Sequence, residues 1–190
     1  MHIVKHTFEE YLQVVKTFHG SEAPGVVIGG FMVDLAIRHI PDGILYNAIC
    51  ETRSCLPDAI QLLTPCTIGN GWLKVMPLGR FALALYDKYT NEGVRVFVDT
   101  QKLEAWPEIK AWLFKLKTSS EQSPESIARE IAQAGENILS IQRIHVRPEI
   151  GKKISKGQIG VCPQCGEAYP INDGEVCLAC QESPYTGERS

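Results

Sequence analysis

The chain has 190 residues, 44% of them hydrophobic, and a formal net charge of −3. That length buries one full core and leaves a small appendage. The balance of charge excludes an overall pull toward nucleic acid or anionic lipid, so a charged partner has to be sought locally.

The opening MHIVKHTFEEYLQVV lacks the basic stretch and apolar run of a secretory leader. Gly29, Gly30, Asp34 and Arg38 interrupt the longest candidate for a membrane span. A cytoplasmic protein with no membrane partner is expected, whose seven cysteines stay reduced and serve metal binding or thiol chemistry.

In chain order, Phe8, Leu12, Val15 and Phe18 recur at helical spacing and lead to His19 in the stretch FHGSEAPG. The spacing then predicts a buried helix over 26–40, weakened by Gly29 and Gly30, which fit either a close helix contact or a distorted first turn. ILYNAICE reads as a strand. PDAIQLLT reads as a short helix with Pro57 in its first turn, which puts Cys55 just before a helix N-terminus. TIGNGWL lacks the lysine and spacing of a phosphate-binding loop and reads as a tight turn. FALALYD and GVRVFVD alternate about KYTNEG as an antiparallel hairpin. Two helices follow, AWPEIKAWLFKLK and PESIAREIAQAGENIL, the second with Ser123 as N-cap and Pro124 at its first position, and SIQRIHVRP closes as a strand. Strands and helices alternate without a regular βαβ repeat, which predicts an α+β core with an antiparallel or mixed sheet.

After Pro148 the composition changes to a Gly- and Lys-rich stretch leading into a cysteine cluster, so a core over 1–150 and a finger over 151–190 are expected. Cys162, Cys165, Cys177 and Cys180 form two C-x2-C pairs, four soft sulfurs suited to the corners of a Zn2+ site. A redox dithiol or an iron site is the alternative. Four protein ligands leave no open position for a substrate, which points to a structural or docking element. In the linker region from Arg143 to Lys156, Arg143, Arg147, Lys152, Lys153 and Lys156 outnumber Glu149 and would suit phosphates. From Gly157 to Ser190, Glu167, Asp173, Glu175, Glu182 and Glu188 outnumber Arg189, which argues against nucleic acid.

Cys50 sits in the apolar strand, where a free cysteine packs as a small hydrophobe. Cys55 precedes a helix start whose partial positive charge favours a thiolate. His19 reads as a hydrogen-bonded loop residue or, if the fold brings it to Cys55, as half of a metal pair or of a base–nucleophile pair.

FHGSEAPGVVIGGFMVDLAI, ETRSCLPDAIQLLTPCTIGNGWL, LGRFALALYD and GVRVFVD, in that order, resemble the FmdE family, named after a component of formylmethanofuran dehydrogenase, over roughly residues 5–150. The resemblance implies an α+β core, a homodimer, and a C-terminal zinc finger of treble-clef type. It also implies a metal or active site built from a His-Gly-His and Cys-Pro-Gly block with a later cysteine. His19 and Cys55 match that pattern; Ser21 and Ala23 stand where a histidine and a cysteine are expected. The implied core site is therefore a variant, needing Ser21, Glu22, Cys66 or water to complete a shell around an ion. The expected function is an accessory metal-binding protein to a molybdenum or tungsten enzyme. The alternatives are a small enzyme using His19 and Cys55, and a zinc-finger adaptor for nucleic acid or protein.

Overall fold

In the computed structural model, which describes residues 2–118, 120–151, 155 and 157–185, the chain opens with a short antiparallel pair, β1 (His2–Ile3) and β2 (His6–Thr7). Thr7 then caps α1 (Phe8–His19). Its hydroxyl accepts from the Glu10 N–H, and the Glu10 carboxylate accepts from the Thr7 N–H at 2.8 Å, a reciprocal pair that satisfies two free donors of the helix start. Gly20, at φ 87, ends the helix, so His19 is its last residue rather than part of a loop.

The next helix, α2 (Pro24–Ile37), begins two residues before the expected start, because Pro24 supplies a ready-made first position. It ends three residues sooner: the N–H groups of His39 and Ile40 turn back to carbonyls three residues earlier, tightening the chain out of the helix. Residues Gly25–Val33 are all buried. Gly29 and Gly30 mark close contacts and not a distorted turn. A Cβ on Gly29 would stand 2.6 Å from Ala59 Cβ, and one on Gly30 2.4 Å from the Tyr11 ring. The neighbouring helices thus approach the α2 backbone directly, and the Tyr11 hydroxyl donates to Val26 O at 2.8 Å.

The chain continues through β3 (Tyr46–Cys50), α3 (Leu56–Leu63), β4 (Leu73–Val75), β5 (Ala82–Asp87) and β6 (Glu92–Val98). A 3-10 turn leads to α4 (Pro107–Leu113), then α5 (Pro124–Ala134), a second 3-10 turn, β7 (Leu139–His145) and the short α6 (Pro148–Gly151). Ser123 caps α5 as expected, accepting from the Ser126 N–H at 3.2 Å. The five-stranded sheet runs β4-β3-β5-β6-β7, with β3 and β4 parallel and every other pair antiparallel. It is the mixed sheet of an α+β core.

Side chains alternate across this sheet with the two-residue period of a strand. Ala48, Cys50, Leu83, Leu85, Val94 and Val96 join the main core with α2 and α3, while Ile49, Ala84 and Tyr86 form a smaller cluster with Val146. These elements make up one compact unit, Met1–Gly151.

The second unit, Lys152–Ser190, contains β8 (Ile159–Val161) paired antiparallel with β9 (Ala168–Pro170), a 3-10 turn, and α7 (Leu178–Gln181). Among the described residues, no helix is long and apolar enough to cross a membrane.

Candidate functional site

The four finger cysteines come together in the second unit, while in the first unit His19 and Cys55 each lie at the start of α3. In the second unit, Cys162 and Cys165 lie in the turn between β8 and β9. The Cys162 N–H donates to Glu167 O and the Gly166 N–H to Cys162 O, both at 2.8 Å, and Gly166 supplies the positive φ of 77 that this tight turn requires. Cys177 is the N-cap of α7 and Cys180 lies inside that helix.

All four sulfurs lie within 4.8 Å of one another, with Cys162 Sγ 3.8 Å from Cys180 Sγ and Cys165 Sγ 3.7 Å from Cys177 Sγ. Sulfurs at the corners of a tetrahedron around Zn2+, at bonds of ~2.3 Å, stand about 3.8 Å apart, so the donor set fits that ion in size and in chemistry. The Cys177 N–H donates to Cys162 Sγ at 3.4 Å. That bond, with the N–H groups of Cys165 and Gln164, pulls the Cys162 thiol down to about 6, which favours the thiolate a metal requires. Tyr169 ties the intervening loop together, its hydroxyl donating to the carbonyls of Gly174 and Glu175.

In the first unit, His19 at the end of α1 meets Asp58 in the first turn of α3, with Nδ1 2.7 Å from the carboxylate. With Nδ1 held by Asp58, Nε2 is left as the nitrogen that faces other chemistry.

Cys55, the N-cap of α3, has φ 56 and ψ −51, and the Leu56 N–H reaches back to Ser54 O at 2.5 Å. This is a γ-turn of the rare, strained hand. It packs against the start of α2, where a Cβ on Gly25 would stand 2.7 Å from Cys55 Cβ, 3.1 Å from its Sγ and 3.2 Å from Trp112 Cζ2. Trp112 meets Phe81 edge-on at 5.6 Å, and the Lys115 ammonium lies over the Trp112 ring.

Lys115 also has positive φ, at 56. The Leu116 N–H bonds to Ala111 O and the Lys115 N–H to Trp112 O, so Lys115 fills the left-handed position that glycine usually takes after a helix. This turn ends α4 at Leu113, short of the expected helix. Cys55 and Lys115, two non-glycine residues in costly backbone conformations at about 1–3 kcal/mol each, thus both lie near Trp112.

The thiolate expected of Cys55 is not favoured. Burial pushes its thiol up, the Asp58 carboxylate adds to this, and Lys115 opposes them. Burial against Trp112 and a carboxylate one turn into α3 outweigh the helix start. Cys66 lies elsewhere, fully buried with its thiol donating to Tyr46 O, and Glu22 and Ser21 are exposed. Among the described residues, the four finger cysteines form the one set of three or more His, Cys, Asp or Glu ligand atoms within 4.8 Å of one another. The core thus brings His19 to Asp58 and sets Cys55 beside Trp112, without gathering a third ligand from Glu22 or Cys66.

Sequence reasoning passed over the pairing role of Asp58, and it passed over Trp112 and Lys115. Asp58 was visible as an acid in the first turn of a helix. No local signal connects residues 112–115 to Cys55. Of the basic stretch before the finger, Lys152, Lys153 and Lys156 lie outside the described residues.

The family model described as FmdE, molybdenum formylmethanofuran dehydrogenase operon, matches residues 18–146. The chain belongs to the FmdE family. A second model, the FmdE treble clef zinc finger, matches residues 153–186, as the β8–β9 turn and the start of α7 do in supplying one cysteine pair each. A tungsten formylmethanofuran dehydrogenase FmdE-like protein from Syntrophus aciditrophicus, known from its crystal structure, is 55% identical, with a TM-score of 0.91, and the match covers 97% of this chain and 98% of that one. A probable S-adenosyl-L-methionine-binding protein from Archaeoglobus fulgidus is 28% identical over 195 residues, covering 90% of this chain. The FmdE chain spans about half of that curated relative, 52% of its length.

Proposed function

We propose that the chain is an accessory metal-binding protein, a homodimer whose treble-clef finger holds one Zn2+ and whose core assists a cytoplasmic molybdenum or tungsten enzyme of the formylmethanofuran dehydrogenase kind. The observation that carries this reading is the closure of four sulfurs within 4.8 Å of one another. Such a set leaves no coordination position for a substrate, so the ion it holds organises the finger instead of reacting. With few large apolar side chains of its own, the finger would draw most of its folding free energy from the metal.

The test is zinc per chain in the full-length protein, in the double variant C162S/C177S and in the double variant H19A/C55S. One zinc in the wild type and in H19A/C55S, and none in C162S/C177S, is the expected result. Zinc that survives C162S/C177S and disappears in H19A/C55S would move the metal to the core and overturn the reading.

A second reading, a small metal- or thiol-dependent enzyme using His19 and Cys55, is favoured by the strained backbone of Cys55 itself and of Lys115, and by the His19–Asp58 pair. The name of the Archaeoglobus relative makes S-adenosyl-L-methionine the first ligand to titrate. A calorimetric signal lost in D58N and in C55A would support this second reading; no heat of binding removes that ligand.

A further inference from the structure

The two edges of the five-stranded sheet are built differently. At one edge β4 is three residues long, carries Lys74 at its centre, and has its Leu73 N–H taken by Thr67 O at 3.1 Å. Short length, a lysine and a covering loop each keep a strand edge from pairing with another chain.

The opposite edge, β7, has none of these. It is seven residues long, its sequence LSIQRIH holds neither proline nor lysine, and it pairs with β6 in one unbroken register from Glu92–His145 to Val98–Leu139, without a bulge. Beyond its two ends the Val146 N–H bonds to Asn91 O at 2.8 Å and the Asp99 N–H to Ile138 O at 2.9 Å. Hydrogen-bonded pairs alternate in an antiparallel ladder, so Ser140, Gln142 and Ile144 turn their backbone groups toward β6, while Leu139, Ile141, Arg143 and His145 turn theirs outward. Lys102 donates to Leu139 O. Among the described residues, the outward N–H and C=O groups of Ile141, Arg143 and His145 have no partner.

We propose that β7 is the interface of the homodimer, pairing antiparallel with β7 of a second copy about a two-fold axis at Gln142. The proposal names the contact surface of the homodimer put forward above and rests on that reading. A strand that pairs with itself across a two-fold removes the bare edge from both chains at once. The joined sheet then ends only in its two β4 strands, the edges that are already protected.

The side chains fix the register. Centred on Gln142, the midpoint of β7, the whole strand is paired, with Ile141 opposite the partner's Arg143 and Leu139 opposite the partner's His145. Moving the axis one residue toward the C-terminus would set Arg143 opposite the partner's Arg143, and like charges directly opposite are unfavourable. Moving it one residue the other way leaves His145 beyond the end of the partner's strand. At the axis, Gln142 and the partner's Gln142 form a pair without backbone bonds between them, the kind in which side chains stand closest. Gln142 Oε1 accepts from Arg95 Nη1 at 3.1 Å, which leaves its amide N–H groups for the partner's Gln142. Ile141, half-buried in one chain, is covered by the alkyl stem of the partner's Arg143.

The experiment uses the zinc-loaded full-length protein and reads its mass in solution by sedimentation, together with amide hydrogen exchange. A two-chain mass is expected, with the Ile141, Arg143 and His145 amides protected. Gln142 is exposed, so Q142K and Q142E keep the fold. Each sets like charges against one another at the axis and weakens the dimer about fivefold, with zinc content unchanged. An equal mixture of the two variants recovers the wild-type affinity as a mixed pair, seen by native mass spectrometry. A two-chain mass that neither variant weakens, a mixture no tighter than either variant alone, or outward amides that exchange as those of an open edge would each overturn this interface while leaving the homodimer standing. A single-chain mass for the wild type would overturn both.

Discussion

Cys55 is held as a protonated thiol by burial and by the Asp58 carboxylate, with Lys115 pulling the other way. Alkylation of Cys55 at neutral pH is therefore slower than that of a free thiol. D58N speeds it by a few-fold and K115A slows it, as peptide mapping after iodoacetamide treatment will show; the same rate in all three proteins would remove the electrostatic account. Cys50 and Cys66 behave differently because burial pushes both up to about 11 from the usual 9.0. Below about pH 9 both states keep these protons, and above it the unfolded chain sheds protons that the folded chain retains. Stability thus falls between about pH 9 and 11, by roughly 2–3 kcal/mol per thiol at most. Urea midpoints measured across that window check this, and a C50A/C66A protein with a flatter profile is the expected result. Among single residues, sequence spacing exposed the cysteines, but the partner that fixes His19 lies 39 positions away and only the fold supplies it.

At the scale of elements, α2 is the pivot. Its apolar run was legible as a buried helix, and its two glycines were legible as an anomaly with two explanations. Only the packing of Tyr11 and Ala59 against the bare backbone decides between them. G30A gains about 1 kcal/mol of helix propensity but drives a methyl into a fully buried ring, which costs about 1–3 kcal/mol, so a net loss and a lower Tm are expected. Y11F, which removes the hydroxyl bound to Val26 O, loses about 1 kcal/mol without the clash. A G30A protein more stable than wild type would show that the Tyr11 ring has room to move. The end of α4 was not legible, because a lysine occupies a position whose usual marker is glycine.

For the molecule as a whole, chelation at neutral pH separates its two units. Removing the metal exposes residues after Gly151 to protease while the thermal transition of the core stays nearly in place; a core transition that moves with the finger would contradict this independence. The α+β class and the cysteine ligand spacing were legible because each rests on local period or on short spacing. The surroundings of Cys55 were not, since α2, α3 and the end of α4 each contribute one part. The chain leaves β6 at Asp99 and returns to β7 after Ile138, and these two residues are joined by a hydrogen bond from the Asp99 N–H to Ile138 O at 2.9 Å. Residues 99–138 therefore form an excursion whose ends meet, and it is this excursion that carries Trp112 and Lys115. That wall can be altered at no cost to the β6–β7 ladder, whose register from Glu92–His145 to Val98–Leu139 lies wholly on the strand side of the closure.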